Sequence, residues 1–300
     1  MISVIISTHK REPDIVSRAI ESVLHQTFRE TEIIVVDDSP AGYPFRAEVA
    51  AAVHGYADRN PDIHISYYAH ETNRGACAAR NTGIRHAKGE YIACLDDDDE
   101  WLPEKLEKQM RVMQSSEAAL VYCGCICKND VTGHAAERKT EYHRGYLFEK
   151  LLARNFIDST SIPLIRKECV IAAGGFDEEM QSAQDCDLWL RIAVKYRIDY
   201  VEEALVVYHE HGGEQITSNP LKRINGLERL NQKYKSYLDA DKNLWHRRHI
   251  FITPYYAMAG DRKKALRVWF QCVLKCPGKV FENLRYLRLI IIAKKKASHE

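Results

Sequence analysis

The chain has 300 residues, 45% of them hydrophobic, and a formal net charge of +1. Such a length suits one large domain or a domain with an appendage. The near-neutral charge points to neither nucleic acid nor a generally acidic partner. No stretch approaches the roughly 18 apolar residues that a membrane-spanning helix requires. The apolar run at 2–6 is followed at once by charge, unlike a signal peptide. The nine cysteines are odd in number and lack a disulfide-scaffold or zinc-type spacing. Cys123, Cys125 and Cys127 alternate, so on a strand they share one face and pack as small apolar residues. This usage fits a reducing, cytoplasmic setting.

The first hundred residues alternate between two periodicities. Apolar runs at 2–6, 32–36, 63–68 and 91–95 predict strands. Between them, 13–26, 47–57 and 75–87 predict helices; in the first, Ile15, Ala19, Ile20, Val23 and Leu24 share one side. A β-α-β-α-β-α-β order implies an α/β fold with a parallel, doubly wound sheet. Parallel strands end on one edge. That edge then collects Ser7, Thr8, His9, Lys10 and Arg11, then Asp37, Asp38 and Ser39, then Asn73, Arg74 and Gly75, and finally Asp96, Asp97, Asp98 and Asp99. Four polar strand ends at one edge predict a small-molecule site.

The four consecutive aspartates repel one another and are tolerated best where a cation neutralises them. A solvated acidic turn is the other reading. The run lacks the spaced oxygens, central glycine and final glutamate of an EF-hand loop. Neither a P-loop nor a G-x-G-x-x-G pattern occurs in the chain. A metal held by aspartates would substitute for a phosphate-gripping glycine loop, since magnesium takes one or two carboxylates plus substrate phosphates.

Farther on, 120–126 predicts a strand, followed by a hairpin-like stretch through Lys139. A helix is expected over 145–155, a strand over 162–166 and a turn at 174–177. The segment 184–191 opens a helix with Asp185 and Asp187 in its first turn, where carboxylates complement the helix dipole. A short strand at 204–207 precedes His209 and His211, which suit either a surface loop or a ligand set. From 219 onward the pattern is helical, at 225–238, 245–259, 262–274 and 283–296. Two domains are therefore expected, 1–218 and a helical appendage, 219–300. The last helix mixes apolar residues with Arg285, Arg288, Lys294, Lys295 and Lys296. Either it packs on its own domain or it lies peripherally on an anionic membrane surface.

The order of these pieces resembles a family 2 inverting glycosyltransferase of the bacterial cell-surface glycan type. The resemblance covers roughly residues 1–218. It rests on Val4-Ile5-Ile6-Ser7-Thr8-His9-Lys10-Arg11, Gln26-Thr27-Phe28 and Val35-Val36-Asp37-Asp38-Ser39. Asn73-Arg74-Gly75, Ala79-Arg80-Asn81-Thr82-Gly83, Lys88-Gly89-Glu90-Tyr91-Ile92 and Leu95-Asp96-Asp97-Asp98-Asp99 follow in order, then Gly174-Gly175-Phe176-Asp177-Glu178 and Gln184-Asp185. The resemblance implies a GT-A fold, that is, a Rossmann-like, mostly parallel, doubly wound sheet, here with the C-terminal helical appendage. It also implies a nucleotide-sugar donor, a UDP-sugar, and a hydroxyl acceptor on a glycan or lipid-linked molecule. Nucleotide contacts would come from Ser7, Thr8, Asp38, Arg74, Asp96 and Asp97. Asp98, with His211, would hold Mn2+ or Mg2+, and Asp185 would be the catalytic base. The implied location is cytoplasmic, at the inner face of the membrane. Two departures stand out: Gln184 replaces the usual glutamate before the base, and the Gln-x-x-Arg-Trp motif of processive synthases is absent. A single-sugar transfer follows. A sugar-phosphate nucleotidyltransferase and a non-catalytic nucleotide-sugar-binding scaffold are the competing readings. The first lacks its glycine- and arginine-rich phosphate loop, and the second would have no need of Asp98 and Asp185 together.

Overall fold

The computed structural model describes residues 1–210 and 219–293; His211 and the lysines at 294–296 lie outside the described residues. The chain opens with β1 (Ile2–Thr8), α1 (Pro13–Leu24), β2 (Thr31–Asp37), α2 (Arg46–Arg59), β3 (His64–Ala69), α3 (Ala76–His86) and β4 (Tyr91–Asp96). It continues through β5 (Glu100–Trp101), α4 (Lys105–Ser115), β6 (Ala118–Asn129), β7 (Ala135–Glu137), α5 (Phe148–Ala153) and β8 (Leu164–Arg166). Then come α6 (Lys167–Ala172), α7 (Gln184–Ala193) and β9 (Arg197–Glu210). The helices α8 (Pro220–Lys233), α9 (Lys235–Ala240), α10 (Lys242–Met258), α11 (Arg262–Lys275) and α12 (Val280–Ile292) complete the described chain. Two compact units result. One holds Met1–Leu151, Asn155–Glu178 and the chain from Asp185 through β9; the other holds Leu152–Arg154, Glu179–Gln184 and α8 to α12.

The strands of the first unit form one sheet in the order β3-β2-β1-β4-β8-β6-β9-β5, with β7 a hairpin partner of β6. Strands β3, β2, β1 and β4 are mutually parallel. β1 and β2 are apolar runs buried on both faces, as central strands of a parallel sheet must be. The sheet then turns mixed: β8 runs antiparallel to β4 and β6, while β9 runs parallel to β6. Helix α1 starts with Pro13 at its first position, where a missing N–H costs nothing, and Asp14 complements the dipole there. Helix α3 lies close against β1. A Cβ at Gly83 would overlap the buried Ile5 side chain, so only glycine allows that approach.

Several expectations from the sequence change in the structure. The helix expected over 145–155 is confined to Phe148–Ala153. Gly145 has φ of 105°, which no right-handed helix accepts, and it bridges to Ile198 instead. The short strand expected at 204–207 is the 14-residue β9. Its exposed Glu202 and Glu203 interrupt the apolar pattern without ending the pairing with β6. Two-residue β5, between the aspartates and α4, pairs with β9 and was not signalled by periodicity. The helix expected at 225–238 begins earlier, at Pro220, where the Asn219 side chain accepts from the backbone N–H groups of Leu221 and Lys222.

The helical unit has its own core of Ile224, Leu227, Ile252, Tyr256, Ala257, Ala265 and Ile290. All nine cysteines are free thiols. On β6, Cys123 and Cys125 are buried, and burial pushes their thiols up to about 11 and about 12. They therefore act as packing residues rather than reactive thiolates. No helix among the described residues is long and apolar enough to cross a membrane.

Candidate active site

The parallel register sets the ends of β1, β2 and β4 side by side: Ser7 lies opposite Val36 on one flank and Asp96 on the other, and Thr8 opposite Asp37. Ser7 is half-buried and Thr8 is buried. Asp38, just past β2, is also buried, yet its carboxylate is fully engaged. His70 donates Nδ1–H to Oδ1 at 2.7 Å, and the backbone N–H groups of Arg74 and Gly75 donate to Oδ1 and Oδ2, each at 2.7 Å. Asp38 thus pins the 73–75 loop to the sheet edge. That loop carries the Arg74 guanidinium out to 3.6 Å from Glu178. His9 donates Nδ1–H to the Asp38 carbonyl at 2.9 Å, tying the β1–α1 loop to the same corner.

The four aspartates are not equivalent. Asp96 and Asp98 are partly exposed, whereas Asp97 and Asp99 are buried, so alternate carboxylates reach the surface. Burial alone would raise the Asp96 pKa. The Arg80 guanidinium at 2.7 Å and the hydroxyls of Thr160 and Ser159 outweigh it and hold Asp96 below the ordinary carboxylate value. Arg11 bridges the next pair, with Nε 3.0 Å from Asp97 and a terminal nitrogen 2.6 Å from Asp98. Burial dominates at Asp97. Opposed by Arg11 and reinforced by Asp98, it pushes that carboxyl up to about 6. Burial, then the Asp96 charge, pushes Asp99 well above its ordinary value, and its Oδ2 accepts from Ser161 Oγ at 2.5 Å.

This donor set fits a hard divalent ion. It offers carboxylate oxygens alone, two of them partly exposed, and Arg11 already places a cation between Asp97 and Asp98. Among the described residues, no three His, Cys, Asp or Glu side chains are arranged to hold a metal by themselves. His211, the further metal ligand expected from the sequence, lies outside the described residues. Its neighbour His209 is buried on β9, held between Asp130 at 2.6 Å and Glu100 at 2.7 Å, so its ring is spent on structure.

Asp185 stands half-buried in the first turn of α7, where Asn155 Nδ2 donates to its Oδ2 at 2.9 Å. Asp187, two residues on, is wholly buried and locked to Arg191 at 2.9 Å, a structural pair. The loop that carries Asn155 continues through Ser159 and Thr160, which bind Asp96, to Ser161, which binds Asp99 and accepts from the Asp96 backbone N–H at 3.0 Å. One loop, 155–161, therefore joins Asp185 to the aspartate cluster. A second tie crosses α3: the Asn81 side chain exchanges two hydrogen bonds of 2.8 Å with the Phe176 backbone, and Arg80 lies 5.5 Å from the Phe176 ring centre. Arg80, His70, Asn155 and Thr160 were not singled out from the sequence, nor was Arg11 given its bridging role. Arg11 and Arg80 had a signal, since a buried acidic cluster requires nearby cations. The small polar residues of 158–161 had none.

The profile of glycosyl transferase family 2 matches residues 3–168. WcaA of Escherichia coli, a glycosyl transferase named for colanic acid biosynthesis, is 33% identical over 247 residues, covering 80% of this chain and 83% of that one. Among solved structures, S. aureus TarS in complex with UDP-GlcNAc superposes with a TM-score of 0.62 at 18% identity, over 97% of this chain and 90% of that one. Against a longer TarS chain the TM-score is 0.65, and this chain spans 54% of its length. The mannosyltransferase PcManGT of Pyrobaculum calidifontis, in complex with GDP-Man and Mn2+, gives 0.60 at 19% identity, over 97% and 86%. At these identities the structures speak for the fold, while the profile and WcaA speak for descent. The chain belongs to glycosyl transferase family 2, has the GT-A fold and is a glycosyltransferase.

Proposed function

We propose that the protein transfers one sugar, with inversion, from a nucleotide-sugar to a hydroxyl of a glycan or lipid-linked acceptor. The observation that carries this reading is the loop 155–161, which supports Asp185 at one end and Asp96 at the other. A proton acceptor and an acid cluster facing the diphosphate would then share one scaffold. Ser7, Thr8 and the corner pinned by Asp38 receive the base, a uracil in the first instance, with Arg74 beside it. Asp96 would lie toward the ribose, while Asp97, named for the nucleotide from the sequence, is buried against Arg11 and would act from behind it. Asp98 would hold Mn2+ or Mg2+, with His211, which lies outside the described residues, as the further ligand suggested by the sequence. When bound, such an ion neutralises the diphosphate and stabilises it as a leaving group.

Asp185 accepts the proton of the acceptor hydroxyl as that oxygen attacks the anomeric carbon. The new C–O bond forms on the face opposite the nucleotide. The bond to the diphosphate oxygen breaks, its electron pair leaves with the nucleotide, and the configuration inverts. Asn155 orients Asp185 for this step through its 2.9 Å hydrogen bond. A lipid-linked acceptor would place the enzyme at a membrane face.

Related structures hold UDP-GlcNAc in one case and GDP-Man in another, so a melting-temperature screen should include both UDP- and GDP-sugars. A donor at about a hundred times its Kd adds about 2.7 kcal/mol of stability, a rise of several degrees for a domain of this size. One nucleotide-sugar is expected to raise the Tm, and manganese to enlarge that rise. The reading fails if no nucleotide-sugar moves the Tm with or without manganese.

A further inference from the structure

The C-terminal end of the sequence is electrically unlike the rest. From Arg262 onward it has eleven Lys or Arg and only two acidic residues, in a chain of net charge +1. The preceding residues are therefore net negative. The same region exposes apolar side chains in register. On α11, Leu266, Phe270 and Leu274 recur every four residues and are 44%, 55% and 66% exposed. That stripe lies opposite the buried Ala265 and Cys272. On α12, Phe281 is 90% exposed, and Leu284, Ile291 and Ile292 are all more than half exposed. Arg285 and Arg288 are exposed on the same helix.

These outer residues are not needed to close the helical unit. The inner faces already do so: Ile290 and Ala265 enter its core, Trp269 Nε1 donates to the Asn283 carbonyl, and the Asn283 side chain meets His246 at 2.8 Å. The outward faces also lack acidic groups. Helix α11 has none, and Glu282 of α12 turns aside toward Lys279 and His246. Large apolar side chains left exposed along one face of a helix mark an interaction site. Arginines interleaved with the apolar residues, rather than a polar rim around them, suit an interface where cationic heads reach anionic headgroups and the stems remain among acyl chains. A second copy of this chain would bring two strongly positive segments together and be repelled.

We propose that the outer faces of α11 and α12 form a docking surface for an anionic lipid bilayer, with Phe270 and Phe281 entering the headgroup region and Arg285 and Arg288 meeting lipid charge. This goes beyond the transfer reading and does not depend on it.

The test is sedimentation of the full chain with vesicles of equal parts phosphatidylglycerol and phosphatidylcholine, against vesicles of phosphatidylcholine alone, at physiological salt. Wild-type protein is expected to sediment with the anionic vesicles only. The double variants Phe270→Ser with Phe281→Ser, and Arg285→Gln with Arg288→Gln, should each lower vesicle affinity at least about tenfold, because a partly inserted face loses most of its hold when either component is removed. All four side chains are exposed, so an unchanged melting curve and an unchanged donor response certify the fold. The proposal is overturned if wild-type protein ignores anionic vesicles, binds both vesicle types equally, or is matched by folded double variants. It is equally overturned if ultracentrifugation shows a lipid-indifferent dimer that the phenylalanine variant dissociates.

Discussion

Asp98→Ala is expected to remove the manganese-dependent part of UDP binding while leaving the fold intact. Asp98 is one of two aspartates in the cluster that reach the surface, and its carboxylate meets Arg11 at 2.6 Å. Arg11 keeps Asp97 at 3.0 Å after the substitution, so the buried charge balance persists. Disturbing residues that merely orient metal ligands costs about 10–100-fold in metal affinity, so deleting the ligand should cost at least the upper end of that range. Removing a carboxylate also relieves repulsion of the diphosphate. UDP binding without metal should therefore hold steady or strengthen slightly, which separates a metal role from general damage to the pocket. Calorimetric titration of UDP with and without manganese measures both effects. If the variant keeps the full manganese-dependent gain, Asp98 does not hold the ion.

Asp185→Asn is expected to keep donor binding and slow transfer at least about a hundredfold, the low end for loss of a general base. A hundredfold corresponds to about 2.7 kcal/mol in the barrier. The substitution is nearly isosteric, and an amide oxygen at the Oδ2 position can still accept from Asn155 Nδ2. Position in the first turn of α7 offers a rival account, in which the carboxylate only complements the helix dipole. That role is worth about 0.3–1 kcal/mol of stability and nothing in turnover. Steady-state kinetics with a donor from the screen, alongside thermal melts, distinguishes them. A variant with wild-type kcat and a slightly lower Tm would remove Asp185 from the catalytic role.

The parallel half of the fold was legible because its strands are apolar runs and each ends in a polar signal. The ends of β1, β2 and β4 duly lie together, bringing Ser7, Thr8, Asp38 and Asp96 to one edge. What the sequence withheld was pairing. Arg11 meets Asp98 across 87 positions and Asn155 meets Asp185 across 30, and no local pattern records which cation or amide will face which acid. Asp38 shows the same limit. Its residue type marked it as a polar group at a strand end, whereas its three close donors show that its carboxylate first of all mounts the 73–75 loop. Helix α12 shows the reverse case. Its mixture of apolar and basic residues was plain, but the division between buried Ile290 and exposed Ile291 and Ile292 requires the packed neighbours.

The central claim, that the edge formed by β1, β2 and β4 together with Asp185 moves a sugar off a nucleotide, is tested most directly by its product. The full chain is incubated with manganese and the nucleotide-sugar that raises its Tm, and released nucleotides are resolved by chromatography. Slow, metal-dependent release of the nucleoside diphosphate by wild-type protein, lost in both Asp98→Ala and Asp185→Asn, is the predicted result. Absence of nucleoside diphosphate from every donor would contradict the account, and so would pyrophosphate formed from a sugar phosphate and a nucleoside triphosphate.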